Sequence, residues 1–93
     1  MTAGLDERRR RAVYRAMHRG TKEMDWMLGR YANASLAAMS DAELTEFETL
    51  LAMPDPQLQV WLMGGERFDD SEMAPLLRRI RSFNGIEDGD QQR

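Results

Sequence analysis

The chain has no cysteine, a single histidine, and no apolar run near the roughly 18 residues that a membrane-spanning helix needs. The first absence excludes disulfides, thiolate metal sites and thiol nucleophiles. The second leaves any metal site to be built mostly from carboxylates, and gives acid–base chemistry one imidazole, His18. That histidine stands beside Arg19 at an expected helix end, where the helix dipole favours a cation, so it reads as a cap rather than a base. Asp69, Asp70 and Glu72 cluster, but at an expected helix N-terminus, where acidic residues belong anyway. A phosphate cradle is missing too, because Gly64-Gly65 has neither the G-x-G-x-x-G spacing nor a strand before it. Met1 to Asp6 lacks the apolar segment of a secretory signal, and Asp6 and Glu7 argue against a mitochondrial transit peptide. The expectation is a bacterial cytoplasmic protein that is not an enzyme, with no catalytic, metal or stable cofactor site of its own and no membrane insertion.

What is present describes one folded unit. Hydrophobic residues at 42% and charged residues at 31% suit a globular chain, not a disordered one. Its 93 residues are read as a single helical domain over 1–93, with a core at about 6–84 and a fraying tail at 85–93. A chain of this size buries roughly 60–65% of its unfolded surface, enough for one modest core but not for enclosing a large cofactor as well. Charge is uneven. Residues 1–30 hold eight basic and four acidic side chains, whereas residues 31–93 hold five and twelve. Such a dipolar chain suits a protein partner better than a polyanion.

Every periodic segment has helical spacing, so the fold class expected is all-α, a compact five-helix bundle. The first helix spans about Asp6 to His18 with Ala12, Val13, Ala16 and Met17 inward. Gly20 stands where a left-handed residue would close it. The second spans about Thr21 to Ala32, with Met24, Met27, Leu28 and Tyr31 at i, i+3, i+4 and i+7. A connection over 33–39 leads to Ser40-Asp41-Ala42-Glu43, a capping box that opens a third helix carrying Leu44, Phe47 and Leu51. Asp55 as N-cap and Pro56 at N1 open the fourth, which buries Leu58, Trp61 and Leu62 and ends at Gly64-Gly65. The fifth follows Asp69–Glu72 and buries Met73, Leu76, Leu77, Ile80 and Phe83, with Pro75 confined to its first turn.

Two surface features need weighing. Arg8 to Arg11 point around more than half a helical turn and lack stacking aromatics, so they read as a solvated helix face rather than a nucleic-acid site. Trp26 lies off the inward face and is expected to be exposed, as a contact hot spot or in partial packing.

The stretch Arg19-Gly20-Thr21-Lys22-Glu23, followed by Met24-Asp25, falls at the junction of the first two helices. Physics alone leaves two readings: a plain helix break, with Gly20 as N-cap, Glu23 as its capping partner and Arg19 solvated, or a contact corner. Downstream stand Glu43-Leu44-x-x-Phe47-Glu48-x-Leu50-Leu51 and Asp55-Pro56-x-Leu58-x-x-Trp61-Leu62. In this order and spacing, over about residues 8 to 83, the set resembles the SdhE family of FAD assembly factors. The resemblance implies a small five-helix bundle. It also implies an assembly factor that promotes covalent FAD attachment to the flavoprotein subunit of succinate dehydrogenase, with that of fumarate reductase as a further candidate client.

In that family the client forms the histidyl–flavin bond itself, and the factor binds the immature flavoprotein. Carried over by position, Arg19, Gly20 and Glu23 form the contact centre, and Asp25 matches the acidic residue that follows. Arg15, one turn earlier, is added on its position alone. Thr21 and Trp26-Met27 depart from the family's pattern. The chain is expected to act as a monomer, without nucleic acid; the alternatives are a nucleic-acid-binding module and a generic helical interaction module.

Overall fold

Five α-helices and one 3₁₀ turn account for the secondary structure of the described residues, which contain no strand. The computed structural model describes residues 3–63, 68 and 71–86. Helix α1 (Ala3–Met17) and α2 (Lys22–Ser35) form an antiparallel hairpin, continued by a 3₁₀ turn over Leu36–Ala38. Helix α3 (Asp41–Leu51) runs alongside α1; α4 (Asp55–Leu62) and α5 (Ala74–Phe83) complete the bundle.

Local chemistry fixes these elements. The capping box forms as expected: Glu43 N–H donates to Ser40 Oγ at 3.2 Å, and Ser40 N–H donates to Glu43 Oε1 at 2.9 Å. Pro75 sits in the first turn of α5, where its missing N–H leaves no vacancy in the ladder. That helix closes in a Schellman arrangement. Ile86 N–H reaches Arg81 O at 2.8 Å, and Gly85 N–H reaches Ser82 O at 3.0 Å. Gly85 and Ile86, assigned to the tail from sequence, therefore still take part in the packed structure, with Ile86 against the core.

The core follows the expected stripes. Met24, Met27, Leu28 and Tyr31 of α2, Leu44, Phe47, Leu50 and Leu51 of α3, and Leu58, Leu62, Leu76, Leu77 and Ile80 of α4 and α5 are buried in one cluster. Tyr31, at the edge of this core, lies 5.9 Å from the Phe47 ring and edge-on to Phe83 at 5.8 Å. Truncating the fully buried Phe47 to alanine would cost about 3–5 kcal/mol.

Several boundaries differ from the sequence expectation. Helix α2 and its 3₁₀ turn occupy most of the expected 33–39 connection, because Leu36 is apolar and buried and draws the chain onto α1. Pro54, not Asp55, is the N-cap of α4, and Asp55 is already helical. Phe83 and Met17 lie at the rim, 41% and 42% exposed, and Trp61 is half-buried. The stretches Gly64-Gly65 and Asp69-Asp70 lie outside the described residues.

Candidate functional site: the corner between the first two helices

Helix α1 ends at Met17, and His18 turns back on it. The His18 Nδ1 lies 2.8 Å from Tyr14 O, which requires the proton on Nδ1, and its ring stacks on Tyr14 at 4.1 Å. This is the expected cap. The next two backbone N–H groups, of Arg19 and Gly20, both donate to Asp25 Oδ1, the second at 3.3 Å. Gly20 has φ +115°, a conformation that a side chain would strain. Thr21 then caps α2 by accepting from Met24 N–H at 3.3 Å. The plain-break reading placed Gly20 and Glu23 in the capping role. Thr21 and Asp25 hold it instead, because Thr21 has the extended backbone that an N-cap needs and Gly20 does not.

The Arg19 guanidinium points inward. Nε donates to Asp55 Oδ1 at 2.9 Å, Nη2 ion-pairs with the same oxygen at 2.8 Å, Nη2 also reaches Met53 O at 2.8 Å, and Nη1 donates to Leu51 O. Its side chain is only 10% exposed. Helix α3 has no basic residue in its last turn, so its final carbonyls lack a cation of their own. An arginine from another element supplies one, with the planar fork that suits several acceptors at once. Helix α4 also lacks a terminal cation, and the buried Arg81 donates to Leu62 O at 3.0 Å and Trp61 O at 3.3 Å.

The residues expected at the contact centre thus divide. Arg19 and Asp25 build the corner from inside, whereas Gly20, Glu23 and Arg15 are exposed on its outside. A Cβ built on Gly20 would lie 3.6 Å from Asp55 Oδ2, which places the glycine directly over the Arg19–Asp55 pair. Glu23 makes no ion pair among the described residues. Arg15 lines a shallow groove of about 470 Å³ with Tyr14, His18 and the α3–α4 connection.

Sequence reasoning missed Asp55 as the partner of Arg19. The acidic residue before Pro56 was visible, but its carboxylate was expected to serve its own helix. The arginine run is also corrected. Arg8 is half-buried and forks onto Glu48 at 2.7 and 3.1 Å, while bonding Asp41 at 2.7 Å and Thr45 at 3.1 Å. Arg9 donates to Met39 O at 2.7 Å and to Asp6, and Arg11 pairs loosely with Glu7. Two of the four arginines therefore join α1 to later elements instead of forming a solvated face.

Among the described residues no group of three or more histidines and carboxylates comes together to hold a metal ion. No helix there is long and apolar enough to cross a membrane. The fold and the corner define a class: a small all-helical protein whose first two helices meet in a corner braced by Arg19 and Asp25.

Comparison with known proteins gives the family. A family model described as flavinator of succinate dehydrogenase matches residues 10–84. The chain is 41% identical over 85 residues to the FAD assembly factor SdhE of Acetobacter pasteurianus, covering 91% of this chain and 78% of that protein. It is 32% identical over 66 residues to its Coxiella burnetii counterpart, covering 71% of this chain and 80% of that one. It is 31% identical over 81 residues to the mitochondrial succinate dehydrogenase assembly factor 2 of Meyerozyma guilliermondii; there it spans 80% of this chain but 60% of the relative. No solved structure matches the chain. The chain belongs to the SdhE family of succinate dehydrogenase flavinators, whose role is FAD assembly and not catalysis.

Proposed function

We propose that the chain binds the immature flavoprotein subunit of succinate dehydrogenase through the outer side of the α1–α2 corner, with Gly20, Glu23 and Arg15 making the contact. Arg19 and Asp25 set the shape that presents them. The observation that carries this reading is the division of the corner itself. Its arginine is fully engaged inside the protein, and the carboxylate four residues later is exposed and unpaired among the described residues. An unpaired carboxylate beside a glycine that lets a backbone approach closely can accept hydrogen bonds from a partner's donors.

In this reading the client carries out the covalent step. The factor binds preferentially the arrangement in which the client's nucleophile and the flavin are aligned. Two to three decades of acceleration need about 3–4 kcal/mol of differential binding to that arrangement, within reach of one well-packed contact face. FAD itself stays with the client, since the groove beside Arg15 is open and shallow. A monomer in a bacterial cytoplasm is part of the same reading; of this, the likeness to bacterial FAD assembly factors supports the bacterial setting.

The test is reconstitution of the cognate apo-flavoprotein with FAD, following covalent flavin by in-gel fluorescence. Glu23→Ala, folded as judged by circular dichroism, is expected to lose most of the stimulation. Wild-type yield from that variant would refute the corner as the site. No stimulation by the unmodified chain would refute the client.

A further inference from the structure

Beyond the corner, α2 presents a second unpaired feature. Lys22, Trp26 and Arg30 stand at i, i+4 and i+8 and form one outward stripe, about 12 Å long at the helical rise per residue. Trp26 is 54% exposed. The Arg30 guanidinium carbon lies 4.5 Å from the Trp26 ring centroid and 5.6 Å from that of Phe83, itself at the rim of α5. Both aromatic rings thus lie within cation–π distance of the guanidinium. Neither Lys22 nor Arg30 has a carboxylate partner among the described residues. Around the exposed tryptophan the stripe therefore carries a net positive charge, in a chain whose net charge is −3.

We propose that this stripe is a second docking face for the same client, and that it receives an acidic segment with two carboxylates flanking an apolar residue. The argument is complementarity of charge and shape. A guanidinium stacked on aromatic faces keeps its N–H edge outward, in the geometry that takes a carboxylate with two parallel bonds. Lys22, two turns away, attracts the second carboxylate as a point charge. Between them Trp26 offers the amphipathic surface that dominates the energetics of many interfaces. The stripe begins one residue before Glu23, so the two faces are continuous along α2. This inference rests on the flavoprotein subunit being the client.

The experiment measures binding of the cognate apo-flavoprotein subunit by isothermal titration calorimetry at several salt concentrations, each variant first checked by its melting temperature. Trp26→Ala is expected to weaken binding at least about tenfold. Lys22→Glu combined with Arg30→Glu is expected to weaken it on the order of 100-fold and to flatten its salt dependence. Arg30→Lys should retain only part of the affinity, since an ammonium cannot fork.

If these variants bind as the unmodified chain does while Glu23→Ala binds weakly, the stripe is wrong and the corner stands. The reverse pattern removes the corner and keeps the stripe. No binding by the unmodified chain removes both. If Trp26→Ala converts a dimer to a monomer by sedimentation, the occupant is a second copy and the inference fails. It also fails if deleting residues 87–93, which include Glu87, Asp88 and Asp90, tightens binding, because the acidic segment would then be the chain's own.

Discussion

Arg19 and Glu23 lie four residues apart in one corner, yet their surroundings are opposite. Arg19 is nearly buried and bonds three acceptors on the α3–α4 side. Glu23 is exposed and, among the described residues, pairs with none. The difference shows that a short motif can combine two jobs that motif matching does not separate. One part fixes a surface and the other part is the surface. Substitutions should separate them, because damage to the first part appears in stability and damage to the second appears only in assembly.

The largest effect is expected at Arg19. Replacing it with methionine removes the cation from the α3 terminus and leaves Asp55 partly buried without its partner, costing about 3 kcal/mol. In a domain of this size that lowers the melting temperature by more than about 10 °C. Arg19→Lys should recover only part of this, since one ammonium cannot serve Leu51 O, Met53 O and Asp55 together. Denaturant unfolding of both variants decides the matter. A methionine variant as stable as the unmodified chain would erase the contrast with Glu23.

Gly20 comes next, and it belongs to both parts. Its φ of +115° makes any side chain strained, while the 3.6 Å approach of a Cβ to Asp55 Oδ2 is an ordinary contact. Gly20→Ala should therefore cost about 1–2 kcal/mol from the backbone alone, without disturbing Arg19. Glu23→Ala sharpens the contrast from the other side. Its stability should change by less than about 0.5 kcal/mol, because an exposed unpaired side chain loses nothing internal. Covalent flavin yield should nevertheless fall. A Glu23→Ala variant that melts early would show a structural role missing from the geometry.

How much of this was legible in the sequence depends on the range of the interaction. The capping box at Ser40–Glu43 and the buried stripe of α2 were legible, since both are fixed by residues within one or two turns. The inward turn of Arg19 was not, because its acceptors lie 32 to 36 residues away and become neighbours only once α3 packs beside α1. Arg8, reaching Glu48 across 40 residues, was missed for the same reason. Arg81 looks in sequence like its neighbours Arg78 and Arg79, and only the fold buries it against the end of α4. One local signal was available. Neither α3 nor α4 carries a basic residue in its last turn, and in both cases an arginine from another element supplies it.

The smallest expected effect contrasts the corner with the other end of α1. There Arg8 meets Glu48 with both side chains 29% exposed. The carboxylates of this pair and of Arg19–Asp55 are similarly exposed, but Arg8 is more open to solvent than Arg19 at 10%, so the Arg8 pair is the more screened. The hydrogen bond from Arg8 still holds the Glu48 carboxyl below its ordinary range. A carboxyl with a depressed pKa in the folded state binds its proton later than in the unfolded chain. Its contribution to stability is therefore complete above the ordinary carboxylate value and is lost as pH falls through the lower folded one. Between about pH 5 and pH 3 the melting temperature of the unmodified chain should fall more steeply than that of Glu48→Gln, by a few degrees at most. Adding salt to about 0.5 M should shrink the difference, whereas the loss caused by Arg19→Met should barely respond to salt. If Glu48→Gln and the unmodified chain melt in parallel across that range, the Arg8 fork contributes geometry without measurable energy. Among the described residues, the tethering by arginines of the α1–α2 hairpin would then fall to Arg19 at the corner and to Arg9 on Met39 O.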